Sequence, residues 1–342
     1  VLNHRFMPFG VDWIAHHLTS LSALNAIGIT GVRSDGVIEI AVADVRSGDT
    51  RFSTRVLGPD WRLVDTAHAG SIIGALGENR ADGQIVAELL SVESRAQVRV
   101  GFFADVIPAP RAQRLVLMGE ADRQLIAALG RDSTTGRTLM QARDDDGLLI
   151  SDVSLLDAAW SVNDVAITDA ANAEFAVLMT RNGSNEGIIL IVNTTSGTVI
   201  RQLAPAAMAD SDRTYVSMRG IKYGGQLALA LLSTAPDSAA SRIDVIDPVS
   251  GVMLAERSSG RSDHPYRRSL SVIPEGEGAA TSELVAAFED PSTGRHLLAF
   301  VDPASTAAGR EVLLDQALEQ NDSGGGAAVY LLLLLLLWLG IG

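Results

Sequence analysis

The chain has 342 residues, 47% of them apolar and 20% charged, with a net charge of −14 and no cysteine. That length and apolar content allow a large core, in two domains or one large β domain. The lack of thiols excludes a disulfide framework, a zinc ribbon and a cysteine nucleophile, and an acidic chain whose sole lysine is Lys222 is repelled by phosphate backbones, which excludes nucleic acid as a partner.

The acidic balance suits solubility outside the cell or in salt. The first residue is Val1 and no signal-peptide pattern surrounds it, which reads as a removed leader or a fragment. The stretch up to Leu21 is expected to hold an outer strand of a preceding unit and then the first strand of the next.

From residue 26 one unit recurs six times, about 50 residues apart. Each unit is an apolar strand, a glycine-containing turn, a second apolar strand, a turn of the Asp-x-x-Ser-Gly kind and a third strand. The second turn falls at Asp44 to Gly48, Val92 to Ala96, Asp144 to Gly147, Asn193 to Gly197, Asp247 to Gly251 and Asp302 to Thr306. In five units the first turn uses Ser34-Asp35-Gly36, Ala81-Asp82-Gly83, Thr134-Thr135-Gly136, Asn185-Glu186-Gly187 or Ser292-Thr293-Gly294. These residue types tolerate positive φ or bond their own backbone, as tight hairpins require.

One more strand is expected ahead of each unit, for example at Trp61 to Val64, Arg114 to Met118 and Thr214 to Met218. Four strands per repeat at this period describe a propeller blade. Ile188 to Val192 is apolar without alternation, so both its faces are expected to be buried, as in blades stacked face to face. Tandem immunoglobulin-like domains and β-helix rungs fit the period less well. The expected fold is therefore all-β, a β-propeller of six countable four-stranded blades over residues 1–316. A seventh blade in a longer chain stays open.

After Gln316 the pattern stops. Residues 317–326 read as a glycine-rich linker, and residues 327–342 run without a charge through seven consecutive leucines. The expectation there is an apolar helix directed to a membrane, slightly short of the roughly 20 residues of a full span. Tyr330 and Trp338 are types that favour membrane interfaces.

Ser323-Gly324-Gly325-Gly326 followed by this hydrophobic stretch resembles the GlyGly-CTERM sorting signal of Gram-negative bacteria. The arginine cluster that follows in that family is missing before Gly342, which reads as truncation. The resemblance implies export, cleavage near Ser323 to Gly326 by a rhomboid-type protease, and display at the cell surface or release. The repeats in turn resemble the FG-GAP-like, integrin-type propeller repeats of bacterial surface proteins. Asp169 to Leu178 looks like the loop and strand that begin such a repeat, and Leu125 to Arg131 like its second strand. In that family the Asp/Asn-rich loop holds calcium. Asp169, Asn172 and Glu174 have ligand types and spacing suited to Ca2+, and Glu283 looks like a remnant of the same loop.

Other candidates read as structural. Asp144-Asp145-Asp146 sits where the other units place a hairpin turn, and Asp44, Asp247 and Asp302 are expected to bond their own turns. His16 and His17 are neighbours on a strand and point to opposite faces, so one metal can hardly take both. His4, His68, His264 and His296 read as isolated, and Asn182 and Asn193 as turn residues despite glycan-acceptor spacing. No nucleophile elbow, phosphate loop, dinucleotide fingerprint or zinc-helix motif appears.

The Asp-x-x-Ser-Gly turn also looks like repeats of quinone-cofactor dehydrogenase propellers. Those repeats close with tryptophan, and the matching places here hold Leu149, Ile200 and Leu254. The reading is thus a cofactor-free binding, adhesion or scaffold protein whose ligand is a protein or polysaccharide. An extracytoplasmic hydrolase or lyase, with a site assembled from loops, is the alternative.

Overall fold

The computed structural model describes residues 13–21, 24–44, 49–120, 123–205, 208, 213–234, 241–258, 267–272, 281–289, 296–305 and 310–313. The expected linker, the apolar helix over 327–342 and Ser323 to Gly326 lie outside them.

Among the described residues six antiparallel sheets follow one another along the chain, each a meander of four consecutive strands. The first is β1 (Trp13–Leu21), β2 (Ala26–Arg33), β3 (Ile38–Asp44) and β4 (Thr50–Leu57). The second is β5 (Trp61–Ala69), β6 (Ile72–Asn79), β7 (Ile85–Ser91) and β8 (Gln97–Phe102). The third is β9 (Arg111–Glu120), β10 (Arg123–Arg131), β11 (Thr138–Asp144) and β12 (Leu149–Leu156). The fourth is β13 (Trp160–Asp169), β14 (Glu174–Arg181), β15 (Gly187–Asn193) and β16 (Thr198–Leu203). The fifth is β17 (Thr214–Tyr223), β18 (Gln226–Thr234), β19 (Ser241–Ile246) and β20 (Met253–Ser258). The sixth is β21 (Arg267–Val272), β22 (Leu284–Glu289), β23 (His296–Val301) and β24 (Arg310–Leu313).

The expected all-β architecture, the count of six and the extra strand ahead of each unit are all present. Residues 61–64, 114–118 and 214–218 lie in the first strands β5, β9 and β17. The described residues form two compact units. One holds the first three sheets with Thr194–Thr198, and the other holds the remaining three sheets.

Within each unit neighbouring sheets pack face to face, which explains the absence of alternation in the middle strands. β15 is buried from Gly187 to Val192, as expected for Ile188 to Val192. In the first unit Ile38, Ile40, Ile73 and Val86 form one core cluster, and Leu76, Ile85, Phe102, Leu115 and Ile126 form the next. In the second unit Leu178, Ile189, Ile191, Tyr215 and Leu229 form a third, and Ile243, Leu270 and Leu284 belong to a fourth. Each fully buried Leu, Ile or Phe contributes about 1.5–3 kcal/mol.

Close packing also fixes a glycine. A Cβ on Gly220 of β17 would lie 2.6 Å from the carbonyl oxygen of Ile167 on β13. The first strands of the fourth and fifth sheets therefore approach backbone to side-chain-free backbone.

Candidate binding surface

The three residues expected to hold calcium lie on one hairpin. Asp169 ends β13, Glu174 starts β14, and the two are register partners. Asp169 Oδ1 accepts the Asn172 amide N–H at 3.1 Å, and Oδ2 accepts Asn172 Nδ2 at 2.7 Å. These bonds, the side-chain one foremost, hold the Asp169 carboxyl below the usual carboxylate range. The Asn172 carbonyl accepts Asn193 Nδ2 at 2.9 Å, and Glu174 lies 3.7 Å from Arg201 Nη2. The structure thus brings the three together and gives each a protein partner. Among the described residues no group of three or more His, Asp or Glu side chains gathers as a metal cluster.

The other turn carboxylates mostly serve their own backbone. Asp144 is buried, and its Oδ1 accepts the Leu148 amide at 2.8 Å. Asp247 accepts Val249 N–H at 2.9 Å and Ser250 Oγ at 2.6 Å. Asp302 accepts the Ala304 amide at 2.9 Å. Asp44 accepts Arg51 Nη2 at 2.6 Å, and residues 45–48 of its own turn lie outside the described residues.

Of the histidines, His4 and His264 lie outside the described residues, as do the side chains of His16 and His296. His68 on β5 is reached by solvent on one side, yet surrounding protein desolvates it and lowers its pKa.

The sequence reading missed two polar systems. The first lies on the first strands. β1, β5, β13 and β17 each carry a bulge at the same place, between Ala15 and His17, Leu63 and Asp65, Val162 and Asp164, and Tyr215 and Ser217. A bulge re-aims the side chain that follows it. Asp65 Oδ2 then accepts the Leu115 amide of β9 at 2.8 Å. Asp164 Oδ2 accepts the Met218 amide of β17, Ser217 Oγ and Arg219 Nη1 at 2.8, 2.9 and 2.8 Å. Each aspartate ties its sheet to the first strand of the following sheet. The signal was present as an aspartate within the otherwise similar segments Leu63-Val64-Asp65-Thr66-Ala67 and Val162-Asn163-Asp164-Val165-Ala166.

The second system is one buried polar residue in the middle of a third strand, at matching places in three sheets. These are Glu88, Gln141 and Asp244. Their register partners on the fourth strands are Arg99, Asp152 and Glu256. Arg99 Nε donates to Glu88 at 2.7 Å and stacks over the Trp61 ring at 5.8 Å. Gln141 Nε2 donates to Asp152 at 2.9 Å, and its Oε1 accepts the Phe103 amide at 2.6 Å. Asp244 accepts Tyr215 Oη at 2.9 Å and sits 2.8 Å from Arg242 Nε. Burial pushes the Asp244 carboxyl up, and burial together with the Asp244 charge pushes the Tyr215 phenol up.

The outer surface is apolar in a repeated way. The start of the fourth strand exposes Val98 in the second sheet and Leu148 and Leu149 in the third. It exposes Val199 and Ile200 in the fourth and Val252, Met253 and Leu254 in the fifth. Leu149, Ile200 and Leu254 are the residues that stand where quinoprotein repeats carry tryptophan.

No protein-family model matches the chain, and no curated protein does. Solved structures do. The β-propeller domain of Cps50 (Swd1) from Myceliophteria thermophila matches with a TM-score of 0.54 at 12% identity, covering 87% of this chain and 86% of that one. The WD40 domain of SCAP from fission yeast matches at 0.52 with 11% identity, covering 88% and 74%. AofleA from Arthrobotrys oligospora matches at 0.51 with 8% identity, covering 88% and 85%. At such identities the likeness concerns the fold alone, and with six four-stranded meanders it defines a β-propeller.

Proposed function

We propose that this propeller is a non-enzymatic binding, adhesion or scaffold protein, exported and held at the surface of a Gram-negative bacterium, with a protein or polysaccharide as ligand. The observation that carries the reading is the state of its inner carboxylates. Catalytic acids and bases keep atoms turned to the substrate. Here Asp65 and Asp164 on the first strands instead accept backbone N–H groups of the following sheet, with Arg219 added at Asp164. Glu88 and Asp244 are likewise bound to Arg99, Tyr215 and Arg242. These acids belong to the framework, so ligands meet the turns and the outer strands.

Membrane attachment rests on the uncharged run over residues 327–342 and on the likeness of Ser323 to Gly326 to a sorting signal. Among the described residues no helix is long and apolar enough to cross a membrane. A calcium ion on the Asp169, Asn172 and Glu174 hairpin is compatible with this role and is not required by it.

Two measurements test the reading. Protease added to intact expressing cells should digest the propeller, and deletion of residues 324–342 should move a still folded protein from the membrane to the soluble fraction. The full-length protein should retain ligands on polysaccharide and protein arrays without altering them. Turnover of a polysaccharide by hydrolysis or elimination, lost on Asp65→Asn or Asp164→Asn, would establish the enzyme instead.

A further inference from the structure

Among the described residues the second unit exposes a set of apolar side chains on two of its fourth strands. β16 contributes Val199 and Ile200; β20 and the turn before it contribute Val249, Val252, Met253 and Leu254. Val249 and Val252 are 65% and 59% exposed, which for branched apolar side chains is costly in water. β16 adjoins the turn that precedes β20: Arg201 Nη1 donates to the Pro248 carbonyl at 3.4 Å, and a Cβ on Gly251 would lie 3.6 Å from Leu203 Cδ2. The six side chains therefore lie on adjoining segments of the outer wall, and none of them is charged. The same strand position is apolar in the first unit, at Leu148 and Leu149. Recurrence at one place in successive repeats marks a built feature rather than scattered exposure.

We propose that this patch rests on the lipid interface of the membrane that holds residues 327–342, an inference that depends on the membrane attachment argued above. The chain path supports that occupant. β24 is itself a fourth strand of the second unit, and it is the last described element before the apolar run. Residues 314–326 separate the two, and a chain of that length spans at most about 45 Å when extended. The outer wall is thus tethered close to the bilayer, where apolar side chains at high effective concentration of lipid insert at the boundary of headgroups and acyl chains. The chain carries −14, so a zwitterionic surface suits it better than an anionic one.

The absence of native cysteine makes the test direct. Full-length Val252→Cys and Ser184→Cys are each labelled with an environment-sensitive fluorophore and reconstituted into phosphatidylcholine vesicles with brominated acyl chains. Ser184 lies in the β14–β15 turn, at the opposite strand end from the β15–β16 turn, and serves as the control. The label at 252 should be quenched by the lipid at least about fivefold more than the label at 184, with a blue-shifted emission. Vesicle flotation without quenching at 252 would overturn the lipid contact and leave membrane attachment standing. A label shielded from aqueous iodide yet not quenched by the lipid would assign the patch to a second copy or to another segment of the chain. Failure of the protein to float with vesicles would remove the attachment itself, and this contact with it.

Discussion

Asp164 accepts the amide of Met218 at 2.8 Å, and the two residues sit on the first strands of successive sheets, 54 positions apart in the chain. Asp65 and Leu115 repeat the relationship at 2.8 Å and 50 positions. A bulge before each aspartate supplies the aim, and the carboxylate satisfies an edge N–H of the next first strand. The first strands of successive sheets lie close without pairing, as Gly220 and Ile167 show. These aspartates link them in two of the sheets.

Replacing Asp164 with alanine should therefore destabilise the second unit by about 2–4 kcal/mol, because the Met218 amide and the Ser217 hydroxyl lose this acceptor in a half-buried place and Arg219 loses its counter-charge. Asp164→Asn keeps one acceptor oxygen and should recover part of the loss. Urea unfolding followed by tryptophan fluorescence checks the order. Equal stability of all three proteins would show the link to be idle.

Tyr215→Phe keeps the ring and its packing but withdraws the donor from Asp244, which is fully buried. The expected cost is about 1–3 kcal/mol. Arg242 remains beside the carboxylate, so the fold itself should survive. A calorimetric Tm lowered by a few degrees, with an unchanged far-UV spectrum, is the expected result.

Gly220→Ala places a methyl group against the Ile167 carbonyl, where the Cβ would sit at 2.6 Å. Backbone cannot give way as a flexible side chain can. The substitution should cost about 1–3 kcal/mol or more, whereas Gly225→Ala, in an open turn with φ of 81°, pays only backbone strain. Thermal unfolding of the two variants side by side separates the two causes.

The Asp247 turn predicts a pH dependence. Its carboxyl is held below the usual range, first by the Ser250 hydroxyl and then by the Val249 amide. A depressed folded pKa means that its stabilising contribution is complete above the ordinary carboxylate value and is lost as pH falls through the folded value. Asp247→Ala should therefore lower Tm at pH 7, modestly because the group is exposed to solvent. It should make little difference near pH 2. A deficit of equal size at both pH values would show that the charge is irrelevant.

Calorimetric titration with Ca2+ should find at most one weak site, abolished by Asp169→Ala. Entry of the ion must compete with the two bonds from Asn172 to Asp169 and with the pairing of Glu174 to Arg201. Several tight sites would mean that the other loops bind as well.

The sequence by itself determined the repeat, and through it the all-β class, the six four-stranded sheets and the hairpin turns. These features are local: glycine and Asx turns at fixed spacing, and apolar runs bounded by them, act within one unit of chain. It also marked Asp247 and Asp302 as turn residues, since an Asx turn closes within two or three positions. Only the tertiary structure decided the work of Asp65, Asp164, Glu88, Gln141 and Asp244. Their partners lie on another strand or another sheet, and a bulge of one residue determines where each side chain points. The outward facing of Leu149, Ile200 and Leu254 was decided in the same way. Whether a fourth-strand residue is covered depends on where the neighbouring sheet ends, which no property of the single strand states.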